Sequence, residues 1–385
     1  MNKKKRKKIA IIGGGIGGLL VGYYLKKKNY SVDIFEKEEK LGGLLQDFEI
    51  DNFRLEKTYH HIFAGDSEVI KLISELGLSD KLIWKKENNA IFYKNNLYAF
   101  NTPIDLLNFW PLNLIDKIRV ALVTFYLQYE NNYKKFEGIK AYQWLEKYYG
   151  KNIYEVMWKP LLKNKFEQYY KEIEMPWFWA RVHFRGHSKL GYLEGGFGQI
   201  IDKLSVGLKI VHKKVEIDNL KNYDLIIDTS PIKSVKYIGA IDVVFTSKQN
   251  LSKFYWHNIN DENAPFVAFI QHTNLTDGQG KNVYYMGGYY PHEHKYFNIS
   301  DEEIYKEFFE YLKKVFPSFE EKEIEKKYIF KFKYAQHVPR FAGNSKIQIP
   351  RNKQVVHMNF AQIYPQDRGI NYAVRMAKEV VASLP

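Results

Sequence analysis

The pattern of apolar and polar positions is clearest at the start of the chain. Residues 8–12 (KIAII) form a β-branched run with no polar position inside it, which is typical of a strand buried on both faces of a parallel sheet. Residues 19–28 (LLVGYYLKKK) are apolar and end in three lysines, as in a helix with cations in its last turn. Residues 31–36 (SVDIFE) predict a second strand, and the whole pattern therefore predicts a strand–helix–strand unit.

The glycines between the first strand and the helix fit the spacing G-x-G-x-x-G. In this spacing Gly13 permits a tight turn, Gly15 lets the backbone approach a pyrophosphate, and Gly18 allows close packing of helix on strand. Glu36 ends the second strand, where a carboxylate accepts hydrogen bonds from ribose hydroxyls and repels a 2′-phosphate. We therefore predict a dinucleotide site for NAD or for the ADP half of FAD, and not for NADP.

Further helices and strands follow from periodicity and from stop signals along the rest of the chain. Gly77 and Gly150 mark the ends of two amphipathic stretches, and a capping box opens a third. The predicted elements are helices over 67–76, 103–133 and 139–149, a helix after 300–303, and strands within 265–290 and over 328–334.

The apolar stretch at 103–133 has two interpretations. Its charges, among them Asp105, Asp116, Lys117 and Arg119, recur too often for a helix that spans a bilayer. We predict that its apolar face packs on the core of the protein. The alternative is an interfacial helix that meets a membrane surface.

Composition narrows the chemistry. The chain has 385 residues and no cysteine, and 45% of its residues are hydrophobic and 26% charged, as in a globular protein of two to three domains. Without cysteine there is no disulfide framework, thiolate zinc site, cysteine nucleophile or redox-active cysteine pair. Any electron transfer must therefore use a bound cofactor. The absence of cysteine also fits a cytoplasmic protein.

The net charge of +14 is unevenly distributed. Residues 3–8 (KKKRKK) supply a basic stretch that we expect to form a tail before the first strand, and the remaining excess is spread along the chain. A spread excess fits a solvated basic surface, or attraction for a phosphate-bearing ligand or an anionic membrane. No nucleic-acid partner is predicted.

A second glycine pair follows Glu36, within residues 37–45 (KEEKLGGLL). This arrangement resembles the superfamily of FAD-dependent amine oxidases, protoporphyrinogen oxidases and phytoene-type desaturases, with some resemblance to UDP-galactopyranose mutases. In that superfamily the pair lies against the FAD pyrophosphate and ribityl chain. The resemblance implies FAD as the cofactor and assigns Lys37, Gly42, Gly43 and Leu44 to its binding. Leu44 replaces the usual Arg or Asn, which leaves the phosphate charge to the backbone or to another side chain.

Other stretches resemble the same superfamily. They are residues 190–204 (LGYLEGGFG and a helix), 208–217, 224–231 (DLIIDTSP), 355–360, and 364–373 before a last helix over 374–384. The resemblance implies that Val215 packs by the adenine and that Asn359 lies near the pyrophosphate. It also implies that Arg368, Gly369 and Asn371 lie near the isoalloxazine, where the dipole of the last helix favours negative charge.

The fold class that these resemblances imply is α/β, with a Rossmann-like FAD-binding domain (a GR2-type flavoprotein) interleaved with an α+β substrate domain. We expect the FAD-binding domain to comprise residues 1–65, 190–245 and 340–385. The substrate domain would then comprise residues 66–189 and 246–339.

Three groups of residues are candidates for catalysis. In galactopyranose mutases a loop similar to residues 59–63 (YHHIF) puts a histidine against the flavin, and that match falls on His61, whose imidazole suits proton transfer. Arg181 and Arg185, at helical spacing, could bind a diphosphate or carboxylate. Tyr364 could line the pocket. No metal is predicted, because adjacent histidines point apart and no third ligand is suitably spaced.

The sequence thus predicts an FAD-dependent oxidoreductase in which a substrate hydride passes to flavin N5. One alternative is a redox-neutral flavin-dependent enzyme similar to a sugar-nucleotide mutase, and a further alternative is a non-catalytic flavoprotein. The predicted partner is a small molecule, either a nucleotide-sugar or an isoprenoid or other lipid. The predicted localisation is cytoplasmic. It includes peripheral contact with the inner face of the membrane.

Overall fold

The computed structural model describes residues 7–50, 53–185, 189–276, 280–339 and 355–384, except for the side chain of Arg185. Most of the basic stretch at 3–8 lies outside these residues. The strands are β1 Lys8–Ile12, β2 Ser31–Glu36, β3 Asp47–Ile50, β4 Phe53–Glu56, β5 Ile62–Phe63, β6 Leu82–Lys86, β7 Asn89–Tyr93, β8 Asn96–Ala99, β9 Lys189–Leu193, β10 Lys209–His212, β11 Leu225–Asp228, β12 Tyr237–Ser247, β13 Trp256–Ile259, β14 Ala268–Gln271, β15 Asn282–Tyr290, β16 Ile324–His337 and β17 Val355–His357.

The α-helices are interspersed among these strands. They are α1 Ile16–Lys27, α2 Ser67–Glu75, α3 Pro103–Leu107, α4 Leu114–Tyr129, α5 Ala141–Tyr149, α6 Lys151–Ile153, α7 Lys159–Phe166, α8 Met175–Arg185, α9 Gly198–Ser205, α10 Asp301–Val315 and α11 Ile370–Ser383. The mixture confirms the predicted α/β class.

The chain divides into two compact units, each made of non-contiguous segments. The first comprises the described residues of Met1–Ile83, Gly191–Val235 and Ala342–Pro385, and the second those of Trp84–Leu190 and Lys236–Phe341. The predicted boundaries at 65 and 245 differ from this division. Helix α2 packs against α11 and so belongs to the first unit, and β12 pairs with β15 and β16 and so belongs to the second.

A five-stranded parallel sheet forms the centre of the first unit, in the order β10-β2-β1-β11-β17. Ile11 lies opposite Ile34 on one side and Ile227 on the other, and all three are buried, as the apolar run predicted. Because the strands are parallel, their carboxyl ends meet at one edge of the sheet. The residues that end the strands there are Ile12, Glu36, His212, Asp228 and His357.

The second unit contains a seven-stranded sheet in the order β16-β12-β15-β14-β13-β7-β8. Every residue of β12 is buried, which fits a central strand covered on both faces. Helix α10 packs Phe308 and Phe309 against one part of this sheet, and α4, α5, α7 and α8 contribute to another apolar cluster. The predicted capping box at the start of α10 is present, with Ser300 and Glu303 capping each other.

The stretch at 103–133 differs most from its prediction. It forms two helices, α3 and α4, because Thr102 and Asn113 each cap a separate N-terminus. The large apolar side chains of α4 mostly face solvent, so the prediction that they pack on the core is wrong for these positions. Among the described residues, no helix is long and apolar enough to cross a bilayer.

Candidate functional site

The glycine turn after β1 is built so tightly that side chains are excluded at two positions. Gly13 has φ +102°, and a Cβ there would collide with Oγ1 of Thr229. A Cβ on Gly18 would collide with the carbonyl oxygen of Gly13 and lie 3.1 Å from its carbonyl carbon. Helix α1 therefore approaches β1 at backbone distance, and its N-terminal amide groups point to the carboxyl edge of the sheet.

The second glycine pair lies directly against this turn. The Gly42 amide donates to the Gly14 carbonyl at 2.8 Å, and Gly15 and Gly42 form a parallel bridge. A Cβ on Gly15 would meet only backbone, with Gly43 Cα nearest at 3.8 Å. The two segments thus form a cradle without side chains, which is the shape that a pyrophosphate group needs. Leu44 is half-buried in the short 3-10 turn that follows.

Glu36 is fixed beside the cradle. Its carboxylate accepts from the Gly14 amide at 2.6 Å and from the Glu38 amide at 2.9 Å, and the residue is buried. This places an oriented carboxylate at the end of β2, as ribose recognition requires. Lys37, by contrast, is mostly exposed and forms an ion pair with Glu38 at 3.4 Å, so the structure does not bring it to the cradle.

Two asparagines with predicted cofactor roles form hydrogen bonds inside the protein. Asn359 donates to the carbonyls of Thr229 (3.2 Å) and Ser230 (3.1 Å) and joins the ends of β11 and β17. The Asn371 side-chain oxygen accepts from the amides of Glu68 (2.9 Å) and Val69 (3.1 Å), and so caps α2 from another helix. Both hold the edge of the site in place, whatever else they contact.

Val215 lies beyond the end of its strand. The predicted strand over 208–217 stops at His212, and Val215 packs, half-buried, against a cluster that includes Ala10 and Tyr223. His212, which ends this strand at the carboxyl edge of the sheet, contacts the Glu38 carbonyl through Nδ1 at 2.8 Å.

The histidine loop and the C-terminal segment meet in the first unit. His60 Nδ1 lies 2.8 Å from the Thr58 carbonyl and therefore donates to it. Burial lowers the pKa of His60 to about 4, and the charge of Arg368 acts in the same direction. His60 is thus uncharged at neutral pH, with a lone pair on Nε2. The sequence predicts the catalytic role for its neighbour His61, whose ring is perpendicular to that of Phe63, with the two ring centroids 5.1 Å apart.

The remaining predicted site residues lie in the C-terminal segment and in the second unit. Gly369 is exposed and extended (φ 178°), and its carbonyl accepts from Ala373 in the first turn of α11. Tyr364 is half-buried before a cis proline. In the second unit, the Arg181 guanidinium lies 5.6 Å from the ring centroid of Trp177. The side chain of Arg185 lies outside the described residues.

Glu56 is a buried carboxyl that the sequence reasoning missed. It is 0% exposed, accepts from the Phe197 amide, and accepts from the Tyr192 hydroxyl at 3.0 Å. Burial raises its pKa to about 7, although these hydrogen bonds act the other way. Because it accepts from the Phe197 amide, Glu56 holds the glycine turn that starts α9. Like Glu36, it is an acid at the end of a strand, and that shared position is the signal that could have found it.

Asp228 was also missed, although its strand had been identified. Its carboxylate accepts from the Ser230 amide (2.9 Å) and hydroxyl (2.6 Å) and lies 3.2 Å from His357 Nδ1. It therefore orders the ends of β11 and β17 beside Thr229. The described residues contain no group of three or more histidine or acidic side chains that could hold a metal.

Comparisons with known proteins agree with this geometry. Residues 11–76 match a family model described as an NAD(P)-binding Rossmann-like domain. The chain is 30% identical over 223 residues to a 1-hydroxycarotenoid 3,4-desaturase of Flavobacterium sp. (strain P99-3), covering 52% of this chain and 44% of the relative. The chain thus spans less than half the length of this curated relative.

Solved structures match over nearly the whole chain. Reduced UDP-galactopyranose mutase has a TM-score of 0.75 at 13% identity, covering 98% of this chain and 96% of that one. A putrescine oxidase redesigned in its cofactor binding has a TM-score of 0.72 at 14% identity, covering 98% of both chains. These likenesses establish the fold. With the sequence matches, they confirm the resemblance to the FAD-dependent amine oxidase-like superfamily and support FAD as the dinucleotide.

Proposed function

From this resemblance to FAD-dependent amine oxidase-like flavoproteins as the premise, we propose that the chain is an FAD-dependent oxidoreductase acting on a small molecule. The observation that carries the proposal is the cradle formed by Gly13–Gly15 and Gly42–Gly43, with the fixed Glu36 carboxylate beside it. Bound FAD would supply an acceptor for a hydride from the substrate at N5.

The residues present fit the adenosine and pyrophosphate parts of FAD. Gly15 leaves room where a phosphate must approach the backbone, and the N-terminus of α1 offers amide groups and positive dipole to it. Glu36 is oriented to accept from ribose hydroxyls. Since Leu44 carries no charge, we assign the phosphate charge to these backbone groups.

The chain's own residues suit the proton chemistry that accompanies hydride removal. We assign proton transfer to His61, whose neighbour His60 is held neutral by burial and by Arg368. Arg368 and the N-terminus of α11 would hold negative charge at the reacting end. Tyr364 would line the same pocket.

The redox-neutral alternative keeps a specific observation in its favour. The fold is shared with UDP-galactopyranose mutase, and Arg181, which lies over the Trp177 ring, could hold a diphosphate. The substrate would then be a nucleotide-sugar. The oxidoreductase proposal instead favours an isoprenoid or another apolar small molecule.

Spectroscopy of the flavin separates these functions. We expect an oxidisable substrate, sought among carotenoids, porphyrinogens and amines, to bleach the 450 nm band of the holoprotein without oxygen. His61→Ala should slow this bleaching at least about tenfold while FAD stays bound. The matched control is His292→Ala, since His292 is a half-buried histidine of the second unit that contacts the Lys333 carbonyl. If UDP-galactose perturbs the dithionite-reduced flavin without net redox, and no such substrate bleaches it, the oxidoreductase proposal is wrong.

A further inference from the structure

Helix α4 exposes its apolar face to solvent. Ile115 is 72% exposed, and Leu114, Ile118, Leu122, Phe125 and Tyr129 are also exposed. At 3.6 residues per turn these positions share one face, an arc about 100° wide that runs the length of the helix. We call these six residues the apolar stripe.

The opposite face of α4 is the one that packs on the protein, and it contains polar groups. Asp116 is buried and accepts from Asn152 at 2.6 Å, and Thr124 Oγ1 lies 3.0 Å from the Tyr149 hydroxyl. Val120 and Leu127 are buried between them. These specific contacts fix the rotation of the helix, so the exposure of the stripe is built into the fold.

The segment before α4 extends the same surface. Trp110 is 83% exposed, and Leu107 is also exposed. The Lys117 ammonium donates to the Leu107 carbonyl at 2.6 Å and lies 6.0 Å from the Trp110 ring centroid. This lysine therefore joins the α3–α4 connection to the stripe and places an indole ring beside it.

The charges of α4 are arranged around the stripe. Lys117 and Arg119 lie at its two borders by helical position, and Asp116, the one acid in the α4 sequence, is turned inward. An apolar face that is bordered by cations, contains Tyr129 and has Trp110 beside it matches a helix lying in the interface of a bilayer. The net charge of +14 adds attraction to anionic headgroups.

We propose that this surface docks the protein on an anionic lipid membrane, with α4 lying in the plane of the bilayer. At 16 residues, α4 is about 24 Å long, short of the bilayer core, so it would insert sideways rather than span. A second copy of this chain would bring the same net positive charge to the stripe, whereas anionic headgroups complement that charge. The stripe therefore fits lipid better than a second copy.

The proposal concerns binding and does not depend on the proposed activity. Because the chain has no cysteine, Leu122→Cys can be labelled alone with an environment-sensitive nitrobenzoxadiazole dye. On vesicles of phosphatidylcholine and phosphatidylglycerol we expect a blue shift and a severalfold gain in emission. The control is Val206→Cys, which labels an exposed apolar position in the first unit and should not respond.

Co-sedimentation with the same vesicles gives a second measurement. Ile115→Gln combined with Leu122→Gln should lower the partition coefficient at least about tenfold, and Val206→Gln should not change it. Both changes are at exposed sites, so circular dichroism should be unaltered. The proposal is overturned if vesicles change neither emission nor sedimentation, if phosphatidylcholine alone binds equally well, or if the double variant only dissociates a dimer formed without lipid.

Discussion

Gly15→Ala is expected to lower the affinity for FAD at least about tenfold while the chain still folds. Its backbone (φ −70°, ψ 175°) accepts any residue, and the added Cβ would make only ordinary contacts, at 3.8 Å and beyond. That Cβ, however, would occupy the cradle between the two glycine segments, where the pyrophosphate must approach the backbone. Titration of the apoprotein with FAD, followed by flavin fluorescence, measures the loss.

Two neighbouring glycines provide the comparison. Gly17→Ala is the matched control, since its Cβ would meet only the flexible end of Met358 at 3.1 Å, and FAD affinity should stay near that of the wild type. Gly18→Ala should instead destabilise the fold, because its Cβ would overlap the Gly13 carbonyl. Equal FAD affinity of Gly15→Ala and wild type would show that the cradle does not hold the phosphates.

Glu56→Gln is expected to remove a pH-dependent loss of stability. The folded pKa of Glu56, about 7, lies above the ordinary 4.5, so the folded state binds more protons between these values. Wild-type stability therefore carries a contribution that is complete below pH 4.5 and is lost as pH rises to 7, amounting to about 3 kcal/mol. Urea unfolding at several pH values should show the stability of Glu56→Gln rising relative to wild type across this window.

The comparison between variants isolates this effect from other groups. His60 and His257 have pKa values lowered to about 4 by burial, so they make stability fall as pH drops below 6.5. Wild type and Glu56→Gln both contain these histidines, so the contribution of the histidines cancels when the two free energies of unfolding are subtracted. Glu49→Gln, an exposed change on the neighbouring strand β3, should give a curve parallel to wild type. If the curve for Glu56→Gln were instead parallel to that of wild type, the pKa of the Glu56 carboxyl would not be shifted.

The local parts of the site followed from the sequence because their spacing is set by backbone geometry. The predicted limits of β1 and β2 match the structure, and Gly13 and Gly18 lie where side chains cannot fit. Contacts between distant residues could not be predicted in this way. Asn371 caps a helix 303 residues earlier, a pairing that depends on how α11 and α2 pack together.

Burial was the other property that periodicity could not supply. The spacing of Ile115, Leu122 and Phe125 shows that they share a face, but not whether that face is inside or outside. In the structure the buried polar pairs of α4 decide its orientation. The same limit hid Glu56, since a strand pattern does not reveal that an acid at its end is fully enclosed.

The flavin content of the purified chain shows whether this protein binds FAD. Heat-denatured protein should release about one FAD per chain, identified by chromatography, with an absorption band near 450 nm before heating. We also expect the apoprotein to rebind FAD in preference to NADP. A colourless protein that takes up no added FAD would contradict it.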